Sequence, residues 1–185
     1  RFLRAMIRGA DFTNAFINGT FDAVSATNGA DLRITALTAT QLKQTSSYGD
    51  VSTGYDGNLQ EVNFGRIDVS VGTNGFANGD FHNMDLRGAN FQSNFDADTL
   101  TGQTFDGSNL DGALFASDSA NPRQQVLDPE ALINADSMVG ITIQDVDLTA
   151  MNPNTFKGKD LSGADFQGSD LTGVDLTDSI LAGVV

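Results

Sequence analysis

Phe156 to Leu176 reads FKGKDLSGADFQGSDLTGVDL. An apolar side chain returns at every fifth position: Phe156, Leu161, Phe166, Leu171 and Leu176. Five residues of α-helix advance a side chain by about 500°, or about 140° net, so this series would define no helical face. In a flat strand an odd spacing sends successive side chains to opposite faces. Gly158, Gly163, Gly168 and Gly173 also disfavour a long helix. A backbone that turns a corner between one apolar residue and the next satisfies the pattern. Each short side then points its apolar residue at a common axis, which makes a solenoid.

The same phase runs outward from this stretch. It continues to Leu181, and it opens the chain at Phe2, Ile7, Phe12 and Ile17, then Leu32, Leu37 and Leu42. Between them lie Leu59, Phe64 and Val69; Phe76, Phe81, Leu86 and Phe91; and Phe95, Leu100, Phe105, Leu110 and Phe115. The four-residue step from Phe91 to Phe95 reads as a shortened corner. Small residues often stand two places before the apolar one, as at Ala164, Ser169 and Ser179, and Asp often stands one place before it. One solenoid domain is expected over 1–185, with two excursions, near 38–58 and 116–142. LTATQLKQTSSYGD (Leu37–Asp50) and LDPEALINADSMVG (Leu127–Gly140) leave the pattern and align at a shift of 90 residues, as a duplication would. Each offers a short helix or loop, with Thr38 or Asp128 as N-cap and Pro129 at a first helical position.

GADF (Gly9–Phe12), GADL (Gly29–Leu32), DLRGANF (Asp85–Phe91) and DLSGADFQGSDL (Asp160–Leu171) carry a resemblance to the pentapeptide-repeat family. The family consensus is roughly A-[D/N]-[L/F]-x-x. The resemblance covers most of the chain, with gaps near 43–58 and 116–142. It implies an all-β fold, a right-handed quadrilateral β-helix with four pentapeptides to a coil. It also implies a non-enzymatic protein, since members of this family are rarely enzymes. Some members lie outside the cytoplasm, in a periplasm or thylakoid lumen, where a rod of this kind could dock on a membrane or photosynthetic assembly. Others imitate duplex DNA and occupy the DNA-binding groove of type II topoisomerases.

Charge bounds the partners. Net charge is −14 over 185 residues, which disfavours direct contact with nucleic acid or an anionic membrane. There is no cysteine, hence no disulfide and no thiolate metal site. No apolar run is long enough for a membrane-spanning helix. The chain opens on Arg1, and a processed or trimmed start is expected.

Chemistry-bearing constellations are sparse. Asp160, Asp165, Asp170 and Asp175 look like a carboxylate cluster, but successive pentapeptides occupy successive sides of a coil, so these four should circle it. His82 is the only histidine and follows an inward Phe81, so it is expected at the surface. No catalytic residue, cofactor or metal site is expected. Solenoid ends and excursions are the expected places for protein contacts, because an end exposes apolar core and strand edges. Candidate contact residues are Phe2, Leu3 and Ile7 at one end, Leu181, Val184 and Val185 at the other, and Tyr48, Tyr55 and Met138 on the excursions.

Overall fold

The computed structural model describes residues 38–43, 45–49, 51–64, 69, 71–72, 75–92, 100–116 and 125–185. Its regular elements are short. Helix α1 covers Ala39–Lys43 and is followed by 3-10 turns at Ser46–Gly49 and Val51–Thr53. The strands are β1 (Gly57–Asn58), β2 (Met84–Asp85), β3 (Leu114–Ala116), β4 (Gln125–Val126), β5 (Thr142–Gln144) and β6 (Val146–Asp147).

Every pairing among the described residues is parallel, and partners lie 20 residues apart (Asp160 to Ile180) to 28 apart (Asn109 to Ser137). The chain therefore returns onto itself once per coil. Backbone contacts fall into four columns. The first stacks Asn58 on Asp85, Asp85 on Asn109 and Asn109 on Ser137. The second stacks Asn63, Asn90, Leu114, Thr142 and Asp165. The third joins β4 to β6 and Asp147 to Asp170. The fourth is tied by hydrogen bonds from Asn83 N to Asp106 O, Gly107 N to Asn134 O and Gly158 N to Thr177 O. These bonds between layers satisfy backbone groups that a coiled chain would otherwise bury unpaired.

One residue after each stacked position, an apolar side chain turns inward. Leu59, Leu86, Leu110, Met138 and Leu161 follow the first column, all at most 1% exposed. Phe64, Phe91, Phe115, Ile143 and Phe166 follow the second. Phe64 stacks on Phe91 with ring centroids 5.1 Å apart, and Phe91 on Phe115 at 5.2 Å. Phe81 and Phe105 meet this stack edge-on from the neighbouring side, 5.6 and 5.3 Å from Phe91. Rings stacked and edge-joined in this way gain quadrupole attraction beyond the area they bury.

Corners also repeat. Asn90, Asn109, Asp147, Asp160, Asp165, Asp170 and Asp175 each accept, at Oδ1, the backbone N–H two residues on, at 2.8–2.9 Å. This is the Asx turn, and it explains why Asp or Asn precedes the inward residue. At one corner five glycines stack: Gly88, Gly112, Gly140, Gly163 and Gly183, with φ between +65° and +73°. Small hydroxyls link layers as well. Ser108 Oγ donates to Phe81 O at 2.5 Å and accepts from Met84 N at 2.9 Å.

Three expectations are corrected. The excursion expected over 116–142 narrows, because Ala116 pairs with Gln144 and Gln125–Val126 pairs with Val146–Asp147, while Ser137 bridges Asn109. Leu127, Leu132 and Met138 are core residues at 1, 0 and 1% exposure. Residues 117–124 lie outside the described residues. Asp128 caps no helix: its carboxylate accepts from Gly102 N in the preceding coil, and Pro129 O accepts from Asn152 N in the next. Leu171 and Leu176 are only partly buried, unlike Leu161 and Phe166, because they belong to the outermost described coil.

Candidate interaction surface

The first excursion opens with a short helix, one of the two forms expected, and its sequence explains why. Thr38 Oγ1 accepts from Gln41 N at 3.2 Å, while Gln41 Oε1 accepts from Thr38 N at 2.8 Å. That reciprocal pair is a capping box, and it starts α1. Ala39 and Leu42 turn into the core at 2 and 1% exposure. Thr45 Oγ1 donates back to Leu42 O at 2.8 Å and closes the helix.

Asp80 clamps this excursion to the coil. Its Oδ1 lies 2.6 Å from Lys43 Nζ, and its Oδ2 accepts from Ala77 N at 3.0 Å. Tyr48 donates its hydroxyl to Asp80 O at 2.8 Å. Burial, and then the Asp80 charge, push the Tyr48 phenol well above its ordinary range, so it remains a donor. Lys43 Nζ also stands 6.0 Å from the centre of the Tyr48 ring. Gly57 lets β1 approach: a Cβ there would meet Tyr48 O at 2.6 Å, and also the Met84 sulfur. The clamp leaves Val51 outermost, 68% exposed. Tyr55 is half-buried, and its hydroxyl donates to Asp136 Oδ2 at 2.6 Å.

Of the contact residues expected from sequence, Tyr48 is partly buried in the Asp80 clamp and Tyr55 is half-buried against Asp136. Met138 is removed from the set, because its side chain fills the first apolar ladder and offers a partner nothing. Leu181 and Val185 are 44 and 72% exposed, and Val184 is partly buried. Phe2, Leu3 and Ile7 lie outside the described residues. Val51 is one of four exposed apolar residues outside the expected set, with Val71, Val139 and Ile180 at 44, 37 and 54%; its position just after the helix-forming segment is the signal that could have found it.

Carboxylates circle the coil. Asp160, Asp165, Asp170 and Asp175 stand in the first, second, third and fourth columns respectively, as their five-residue spacing requires. Hydrogen bonds from Ser162, Thr172 and Thr177 hold the Asp160, Asp170 and Asp175 carboxyls below the usual range, and Lys157 helps bring Asp175 down to about 2. Each described basic side chain is engaged: Lys43 with Asp80, Arg87 with Asp85 at 2.7 Å, Lys157 with Asp175 at 3.2 Å, and Lys159 with Ala135 O at 2.7 Å. Among the described residues no group of three or more His, Cys, Asp or Glu could hold a metal ion, and no helix is long and apolar enough to cross a membrane. His82 is half-buried and pairs with Thr104.

A family model described as "Pentapeptide repeats" matches residues 155–184 in 8 copies. No curated protein matches the chain. Among solved structures, one similar chain is HetL, a pentapeptide repeat protein involved in heterocyst differentiation regulation from the cyanobacterium Nostoc sp. Strain PCC 7120. It is 20% identical with a TM-score of 0.29, and the match covers 98% of this chain and 61% of HetL. This chain therefore spans less than two thirds of HetL's length. A second is trypsin-treated QnrB1, a plasmid-mediated fluoroquinolone resistance protein. It is 15% identical with a TM-score of 0.24, and the match covers 96% of this chain and 86% of that one.

Proposed function

On the premise that residues 155–184 are pentapeptide repeats, we propose that the chain is a right-handed, four-sided β-helix acting as a non-enzymatic scaffold for protein contacts. Four backbone columns and their inward ladders support the four-sided shape. The scaffold reading rests on one observation above all: α1 and the turns after it are clamped to the coil through Asp80, so Val51 projects as a fixed feature, while Tyr55 is held half-buried by its bond to Asp136. Pre-set geometry lowers the ordering cost of association. The wall's repeated carboxylates Asp160, Asp170 and Asp175 are committed to corners and the described cations to partners. The contact set on this reading is the excursion together with Phe2, Leu3, Ile7, Leu181, Val184 and Val185. The partner is a protein surface, extending to a membrane or photosynthetic assembly in a periplasm or thylakoid lumen.

A second reading is an acidic DNA mimic that inhibits a type II topoisomerase. It is favoured by the excess of carboxylates over engaged cations, and weakened by their distribution over all four columns. Isolation of the native partner, followed by binding assays, separates the two. Asp147→Asn with Asp170→Asn neutralises one column while keeping each corner acceptor, as Asn90 and Asn109 do naturally. The scaffold reading expects that pair to bind normally and Val51→Asp or Tyr55→Ala to bind poorly. Loss of binding in the Asp→Asn pair alone, with steep salt dependence, replaces the scaffold with the mimic.

A further inference from the structure

Two exposed apolar side chains share one wall of the coil, the wall built on the first column. Val139, 37% exposed, begins an outward ladder that continues through Ser162 to Ala182. Ile180, 54% exposed, stacks on Asp160 in the ladder beside it. The two stand two coils apart along the axis, about 10 Å at the usual spacing of paired strands. Tyr55 reaches the same wall from the excursion, since its hydroxyl donates to Asp136 Oδ2, three residues before Val139. The excursion therefore continues onto this wall.

The wall is acidic around these side chains. Asp136 and Asp160 are exposed. Asp111 is half-buried, and its Oδ1 accepts from Ser137 Oγ at 2.5 Å and from Val139 N at 2.8 Å. Asp160 uses Oδ1 for its corner bond from Ser162 N. The cations nearby are held against the protein: Arg87 grips Asp85 through Nε and Nη2, and Lys159 Nζ donates to Ala135 O. The wall's backbone is committed as well. Gly112 N donates to Val139 O, Gly140 N to Ser162 O and Gly163 N to Ala182 O, each at 2.8 Å.

We propose that this wall, from Tyr55 to Ile180, docks an amphipathic helix of a partner protein, with apolar residues seven positions apart on Val139 and Ile180 and Lys or Arg beside them facing Asp111, Asp136 and Asp160. The proposal rests on the scaffold reading and extends its contact from the excursion to the wall. Backbone chemistry selects a helix. Interlayer bonds leave the wall no edge to which a strand could add, so a segment lying on it must satisfy its own backbone. Spacing agrees, because seven residues of helix rise about 10.5 Å, the separation of the two apolar side chains. Charge selects a basic helix: an acidic one would meet three carboxylates beside its apolar stripe, and complementary charges fix its orientation. From Asn58 to Ile180 the wall climbs five coils, about 24 Å, which a helix of about 16 residues spans.

The probes are two synthetic helices of about that length. They carry one leucine stripe, flanked by lysine in the first and by glutamate in the second. Fluorescence anisotropy measures their binding to the full chain, and amide chemical shifts map the footprint. The lysine helix is expected to bind and to shift residues 136–139, 160–162 and 180–182, and the glutamate helix to fail. Val139→Asp and Ile180→Asp should each weaken binding about tenfold, the loss of one buried aliphatic contact. Val71→Asp, an exposed valine beside Thr101 on another side, should leave it unchanged. No binding of the lysine helix, equal binding of the glutamate helix, a footprint confined to the excursion, or normal binding by both wall variants overturns the proposal. So does self-association that Ile180→Asp abolishes, since a second copy then covers the wall. With the isolated native partner, normal binding by the wall variants and poor binding by Val51→Asp overturns the wall and leaves the scaffold reading standing. Normal binding by all three overturns both.

Discussion

Phe91→Ala removes the ring at the middle of the aromatic stack. Phe91 is 2% exposed and meets four other rings: Phe64 and Phe115 face to face, Phe81 and Phe105 edge to face. Truncating a buried Phe to Ala costs about 3–5 kcal/mol, more where neighbours cannot collapse into the cavity. Phe91 is hemmed in by a coil on either side, so the expected cost is the top of that range, about 5 kcal/mol. Phe166 is 6% exposed and has one described ring partner, Phe156 at 5.5 Å, so Phe166→Ala should cost about 3 kcal/mol. Asp165→Ala loses an exposed corner bond from Gln167 N at 2.9 Å and a part-buried bond from Gln144 Nε2 at 2.6 Å, for about 1 kcal/mol. Urea titration followed by circular dichroism measures all three, with hydrogen exchange to check that the solenoid unfolds as one unit. Domain stabilities lie at about 5–15 kcal/mol, so Phe91→Ala could leave the chain unfolded. Phe91→Leu, expected at about 1.5 kcal/mol, keeps the comparison measurable. If Asp165→Ala proves as costly as Phe166→Ala, the apolar ladders are not what holds the coils together.

Gly112→Ala should cost about 1–2 kcal/mol, because φ is +66° there while a Cβ would touch nothing closer than Gly88 N at 3.9 Å. Gly107→Ala should cost more in the same urea assay, since its Cβ would collide with the Asn83 side-chain oxygen. Asp175 has a folded pKa of about 2, below the unfolded carboxylate's value of about 4. Its contribution is therefore present above that unfolded value and lost as pH falls through the folded one. Asp175→Asn should flatten the fall in urea midpoint between those limits. Tyr48→Phe removes the hydroxyl bond to Asp80 O and should cost about 1 kcal/mol. Faster hydrogen exchange confined to 38–58 would mark it as a clamp residue, whereas uniform loss of protection would refute that role.

The five-residue phase made much of the core legible. Leu59, Phe64, Val69, Phe81, Leu86, Phe91, Leu100, Phe105, Leu110, Phe115, Phe156, Leu161 and Phe166 all point inward as their spacing requires. Local chemistry also announced α1, through the threonine that caps it. What failed was the segment from Leu127 to Gly140, which reads as an excursion because Leu132 and Met138 are six residues apart. The coil absorbs the extra residue, since Asn109 supplies a backbone partner for Ser137 and the apolar ladder supplies a slot for Met138. Neither neighbour lies within a local window of sequence.

The candidate surface divides along the same line. The repeat alone determined that the Asp residues circle the coil, because a five-residue step moves each onto the next side. It also determined which side chains face inward, since one apolar residue per side is all the interior admits. Only the tertiary structure decided that Asp80 binds an excursion more than thirty residues earlier in the chain, that Val51 is left outside by that clamp, and that Thr104 links His82 to Asn78. Those contacts join residues one coil or more apart. Their register depends on how many residues each coil spends at its corners, and that is set by packing between layers.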